Sequence, residues 1–406
     1  MKKNIFRALS LALVISLTSC TVEIREDNDL PVNPTNPTNP TITTLEGDIT
    51  GNLSLPKGNY TIKGVVRVLD GATLTIAAGS NFTATTSQVS GLVVLKGGKI
   101  NAIGTASEPI VFTSEGKKPG DWGGLTIYGN APIKAAGGAA TALSEDGNNQ
   151  IYGGNDAGDS SGILKYVRVE YGGRKIGDGT SETNSMTFYA VGAGTTLDHL
   201  VSYMGTDDGF EFFGGTVSAT NLVSYGNFDD SFDWQDAWSG QFNSNWYAYQ
   251  TGTGNFGMEI ESSANADNTA PKINGITLIR EAGTKPETAG SSEITAIQFK
   301  KQGSGLFSNV YIDGYKNGLK ADGTTVQKSW AVLIQDAATE ADQLNKGKIK
   351  VSPLNHVNSD NVGLYGYGFT SATPVTFTND TAVKKVTMES GAWATVNGKD
   401  LLAGLK

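Results

Sequence analysis

The sequence predicts an all-β chain wound into a right-handed parallel β-helix, carrying one long loop insertion and a C-terminal β cap. Three observations point there. Glycine fills 52 of 406 positions while charged residues make up only 17%, a turn-dense composition that disfavours a helical bundle. Short β-type runs recur between Gly, Asn and Asp clusters. One run also repeats almost residue for residue: Leu200-Val201-Ser202-Tyr203 with Asp207, Asp208 and Phe210 superposes on Leu222-Val223-Ser224-Tyr225 with Asp229, Asp230 and Phe232, 22 residues on. That interval suits one coil of three short strands and three turns. Propeller blades need roughly twice the period, and leucine-rich repeats need regularly placed Leu and Asn.

The elements follow in chain order. Residues 1–19 open with Lys2, Lys3 and Arg7 and continue into a short apolar run, Ala8–Leu17. The run is too short to span a bilayer and reads as a signal peptide. Leu17-Thr18-Ser19-Cys20 then matches a bacterial lipobox, which makes Cys20 the lipidation site. Cys20 is the chain's only cysteine, so disulfides, cysteine zinc sites and thiol catalysis all drop out. Glu23, Glu26, Asp27 and Asp29 follow, and Pro31–Thr44 repeats Pro-Thr-Asn as an extended tether, so residues 20–44 form a lipidated stalk. The acidic stretch resembles the export tag of surface-exposed lipoproteins in Bacteroidetes.

The β-helix domain is expected over 45–352. Candidate strands are Leu92–Leu95, Ile110–Thr113, Leu125–Tyr128, Leu164–Val169, Met186–Val191, Thr277–Ile279, Ile297–Lys300 and Val310–Ile312. Residues 130–162, rich in Gly, Ala, Asn and Asp, lack strand periodicity and read as a loop leaving the helix face. Ala337–Asn345 is expected as one short helix. Residues 353–406 keep alternation but lose the period, so they are expected to cap the last coil, whose open end would otherwise be an exposed sheet edge.

With these elements in place, a resemblance emerges. Gly120-Asp121-Trp122-Gly123-Gly124-Leu125-Thr126-Ile127-Tyr128-Gly129, the preceding Gly104–Ser114, Ser160-Ser161-Gly162 with Tyr166–Tyr171, and the two Asp-Asp coils resemble a widespread group of bacterial surface proteins with a pectate-lyase-like β-helix. The match covers roughly residues 65–265. It implies that fold and a Bacteroidetes-type envelope protein, and it carries no established activity.

Two features are candidates for function. Fourteen aromatics lie between Tyr203 and Phe256. Phe210 and Phe232 read as an internal stack, whereas Trp238, Phe242 and Trp246 fall outside the tight period and are expected as an exposed platform for sugar rings. The second feature is acidic. Alternation in Phe210-Glu211-Phe212 and Phe232-Asp233-Trp234 turns the acids to the face opposite the aromatics. Stacked coils would bring Asp207, Asp208, Glu211, Asp229, Asp230 and Asp233 within about 4.8 Å of their equivalents. Such carboxylates must share a proton, face solvent or bridge a cation, for which Ca²⁺ is the natural choice. The competing reading is turn chemistry through side-chain to backbone bonds.

Together these features predict an outer-membrane, surface-facing, lipid-anchored binding module for a glycan or an envelope partner such as an outer-membrane transporter. The net charge of −9 excludes nucleic acid. The alternative is a polysaccharide-degrading hydrolase or lyase using the coil aspartates. Against it, the polygalacturonase pattern needs Gly-His-Gly and Arg-Ile-Lys coils, whereas only His199 and His356 occur and Arg-Ile-Lys is absent.

Overall fold

A computed structural model describes residues 43–406 apart from 177–180, 289–290, 292, 321, 362–364 and 377. Cys20 and nearly all of the tether lie outside the described residues. Among the described residues, twenty-four strands join one parallel hydrogen-bonded network, and four antiparallel pairs are separate two-residue hairpins. No helix of the described residues is long and apolar enough to cross a membrane.

From Gly162 to Ile334 each coil contributes one short strand and one long one, whereas the coils from Thr73 to Tyr128 and the last coil are built of three short strands. The short strands stack as a front ladder that runs through Gly91–Val94, Leu125–Tyr128, Met186–Tyr189, Phe210–Phe213, Phe232–Gln235, Met258–Ile260, Ile297–Phe299 and Val332–Ile334. The long strands stack beside it through Gly162–Glu170, Thr196–Tyr203, Ala219–Tyr225, Asn243–Gln250, Lys272–Arg280 and Gly305–Asp313. The 22-residue repeat is the observed register: Leu200 pairs with Leu222, Tyr203 with Tyr225, and Phe210 with Phe232.

One residue in the middle of each long strand adopts a left-handed conformation and folds it into two faces. These residues are Tyr166, His199, Asn221, Asn245, Gly275 and Asn309, with φ between 50° and 84°. Asparagine tolerates this region through its short polar side chain. Here its amides also tie neighbouring coils: Asn245 Nδ2 donates to Asn221 Oδ1 at 3.1 Å, and Asn221 Nδ2 donates to Asp198 Oδ1 at 2.9 Å. His199 occupies one such bend, its Nδ1 2.7 Å from Asp198 Oδ1.

Inside the coils, aromatic rings stack from rung to rung, as in Phe188 on Phe212 at 5.0 Å and Phe212 on Trp238 at 4.7 Å. Trp238 and Trp246, expected on an exposed platform, belong to this interior at 1% and 0% exposure. Their indole N–H groups donate at 3.0 Å to the carbonyls of Val217 and Ala219, which satisfies the polar edge that burial would otherwise leave open. Only Phe242 is exposed.

Two further segments depart from expectation. The 130–162 insertion leaves the coil but returns onto it, forming a hairpin, Ala142–Leu143 with Ile151–Tyr152. Tyr152 lies on Tyr189 and Phe213 of the front ladder, and its hydroxyl donates to Asp236. The C-terminal segment divides. Leu354–Val357 and Tyr365–Tyr367 continue the ladders as a last coil. Residues 383–405 do not plug that coil. They run as a strap along the outside of the long strands, where Val386, Trp393, Val396, Leu401 and Leu402 cover Val201, Val223, Tyr247 and Ile279. The outward side chains of those strands are apolar and need a cover. Arg168 pins the strap by donating from Nη1 to the carbonyls of Ala392 and Trp393 at 2.8 and 3.0 Å.

Candidate functional site

Alternation along the front ladder sends Phe210, Phe212, Phe232, Trp234, Met258 and Ile260 inward and the residues between them outward. The outward column reads Thr187, Glu211, Asp233, Glu259, Gln298 in consecutive rungs. Three adjacent carboxylates at strand spacing is an arrangement that repulsion opposes. The turn just before each strand adds Asp207 and Asp208 on one coil and Asp229 and Asp230 on the next.

All of these acids except Asp230 line a cleft of about 380 Å³. Its far wall includes Glu145, carried there by the insertion hairpin, whose backbone N–H donates to the Tyr189 hydroxyl at 3.2 Å. Asp208, Glu211, Asp230 and Asp233 are all at least nine-tenths buried. Burial is the main reason their carboxyls are held well above the usual range. For Asp208 and Glu211 the next causes are neighbouring acids, Asp207 and Asp230 for the first and Asp233 for the second. Burial likewise raises Asp229 to about 7 and lifts Glu259.

Some of these oxygens serve the turns. Asp208 Oδ1 accepts the Asp230 N–H at 2.9 Å, and Asp230 Oδ1 accepts the Phe256 N–H at 2.6 Å, each reaching one coil ahead. Glu211 accepts from Asn184 and, at 3.2 Å, from Gln235 Nε2. Asp233 differs, because its Oδ1 is buried and has no donor among the described residues. Cations stand at one end only: Lys300 pairs with Glu259, and Lys301 Nζ lies 2.8 Å from Glu261. Among the described residues no lysine or arginine forms an ion pair with Asp208, Glu211, Asp230 or Asp233.

Three overlapping groups bring carboxylate oxygens within 4.8 Å of one another: Asp207, Asp208 and Asp229; Asp208, Glu211 and Asp233; and Asp230, Asp233 and Glu259. All six acids singled out in the sequence therefore converge. Turn chemistry and cation geometry coexist in the same side chains, since an oxygen of Asp208 bonds backbone while the residue belongs to two groups.

The sequence did not mark Glu145, Glu259 or Glu261. Met258-Glu259-Ile260 has the same in-out-in pattern as Phe232-Asp233-Trp234, but it comes 26 residues later, outside the 22-residue interval. Phe242 lies away from the acids, in a shallow groove beside Lys272, Leu306 and Lys350.

A family model described as a pectate-lyase-like beta helix domain matches residues 47–396. No curated protein and no solved structure matches the chain.

Proposed function

The chain belongs to the pectate-lyase-like β-helix family, and we propose that it is a binding module whose acidic cleft is loaded with a divalent cation, calcium before magnesium. The carrying observation is the Asp208–Glu211–Asp233 group with its buried, donor-free Asp233 oxygen. Calcium takes six to eight oxygens at about 2.3–2.6 Å, so two oxygens on one ion lie no more than about 5 Å apart. The 4.8 Å limit within each group meets that condition. Asp208, Glu211 and Asp233 would hold the ion, with Asp207, Asp229, Asp230 and Glu259 extending the site to either side. A bound cation neutralises the repulsion along the ladder and offers coordination to the hydroxyl and carboxylate oxygens of a glycan or an envelope partner.

The second reading, polysaccharide cleavage, draws on the raised carboxyl groups, since a protonated acid at neutral pH is what general acid catalysis needs. Glycosidase carboxyl pairs stand about 5–5.5 Å apart in retaining enzymes or 6.5–9.5 Å apart in inverting ones. The tighter groups here suit a shared cation better.

Thermal unfolding decides. Millimolar calcium should raise the melting temperature over a chelator-treated sample, by about 2.7 kcal/mol of stability at 100 times Kd, with magnesium doing less. Asp208→Asn with Asp233→Asn should remove the calcium increment. Identical wild-type curves with calcium and chelator would end the cation reading and direct attention to assays on acidic polysaccharides.

We further propose that Cys20 carries lipid and holds the protein at the outer membrane, facing the surface, where a transporter is a candidate partner. The lipobox and acidic segment support this. Cys20→Ser should move the protein from the membrane to the soluble fraction, and retention in the membrane would refute the anchor.

A further inference from the structure

A second cavity is separate from the acidic cleft. It measures about 670 Å³ and opens between the turn after Lys272–Arg280 and the turn after Gly305–Asp313. At its base is Arg280, which is 6% exposed. A buried guanidinium normally has a carboxylate beside it. Arg280 forms no ion pair among the described residues, although Tyr315 and Asp230 act on it electrostatically. Its Nη1 donates to Gln250 Oε1 and to the Asn255 carbonyl, both at 2.9 Å, and its Nη2 reaches the Thr284 carbonyl at 3.4 Å. Among the described residues, Nε–H and one Nη2–H have no acceptor. Nε and Nη2 form one edge of the guanidinium fork, the kind of edge that takes a carboxylate through two parallel bonds.

The next coil leaves this place open. Following the register of Ile279 with Asp313, the residue abreast of Arg280 is Gly314. A Cβ there would stand 2.2 Å from the Arg280 carbonyl, so no side chain can grow over the arginine from that rung. The two acids in the cavity wall are engaged elsewhere: Asp313 accepts from Asn358 at 2.9 Å, and Glu281 accepts from Tyr249 at 3.3 Å and from Thr251. Neither neutralises Arg280, and both would repel a dianion. Pro286, Ile294 and Leu319 supply apolar wall.

We propose that this cavity binds an organic monocarboxylate, its carboxylate on the free edge of Arg280 and its apolar body against Pro286, Ile294 and Leu319. The single open fork edge sets the charge at one; Lys285 and Lys316 also line the cavity and are offset by Glu281 and Asp313, so it is the apolar wall of Pro286, Ile294 and Leu319 that selects against phosphate. The site stands on a side ladder and does not depend on the cation reading of the front cleft.

Benzoate serves as the probe, with benzamide as its uncharged counterpart and inorganic phosphate as the dianion, in calorimetric titrations of the full chain. Benzoate should saturate and bind at least about tenfold more tightly than benzamide, the difference expected for one charge-assisted pair. Arg280→Gln should erase that preference. Because Arg280 also ties Gln250 and Asn255, a second variant guards against misfolding: Leu319→Glu, at an exposed position on the wall, should weaken both ligands through the lost apolar contact and weaken benzoate several-fold more than benzamide. Equal binding of benzoate and benzamide, phosphate binding as tightly as benzoate, or a preference undiminished by Leu319→Glu would each overturn the proposal.

Discussion

Trp246 and Phe242 are four residues apart and sit in opposite environments, at 0% and 83% exposure. The left-handed bend at Asn245 resets the alternation, so Trp246 turns inward on the rung between Leu222 and Ile276. Trp246→Ala should therefore lower unfolding free energy by about 3–5 kcal/mol. Phe242→Ala should change it by no more than about 0.5 kcal/mol. Denaturant titration measures both, and a negligible loss at Trp246 would remove it from the core. The sequence misplaced this indole for a definable reason. Trp246 follows Leu222 by 24 residues, and the two residues added in the turn concealed the alignment. Asp207 to Asp233 were legible because their two coils keep the 22-residue interval, whereas Glu259 was hidden by the four residues added before it.

Among elements, the last coil carries a pH-sensitive member. His356 in Leu354–Val357 pairs in register with Ile312 and is 2% exposed, and neither ring nitrogen has a hydrogen-bond partner among the described residues. Burial lowers its pKa from 6.5 to about 4. The unfolded chain thus binds the proton first as pH falls. Stability from the neutral ring is complete above about pH 6.5 and is lost as pH drops toward 4, by roughly 3 kcal/mol at the lower end. The cleft acids act in the opposite sense, so the informative quantity is a difference. Between pH 7 and 4.5, wild type should lose more stability than His356→Leu, and a constant gap would show that the ring does not titrate as a buried group. Strands were the most legible elements. Leu125–Tyr128 was read at its observed bounds, and Leu164–Val169 lies inside Gly162–Glu170. The insertion was legible as an excursion from the coil and not as a wall of the cleft. Tyr152 finds Tyr189 and Phe213 only in three dimensions, and no local spacing announces that contact.

At the scale of the molecule, the repeat made the solenoid legible while leaving the course of the C-terminal strap hidden. Trp393, Leu401 and Leu402 look like an ordinary apolar pattern, and their partners lie more than a hundred residues earlier in the chain. A bare solenoid is a one-dimensional stack in which each coil feels only its neighbours, so melting can enter at an end and advance coil by coil. The strap changes that accounting. It packs at once on residues from five consecutive long strands, from Tyr166 through Val201, Val223 and Tyr247 to Ile279. Coils that never touch one another thereby share a common partner, and losing any one of them loosens the cover over the rest. The consequence is cooperativity of longer reach than the repeat alone provides: the middle of the molecule should open as one block, with the coils beyond the strap free to fray on their own.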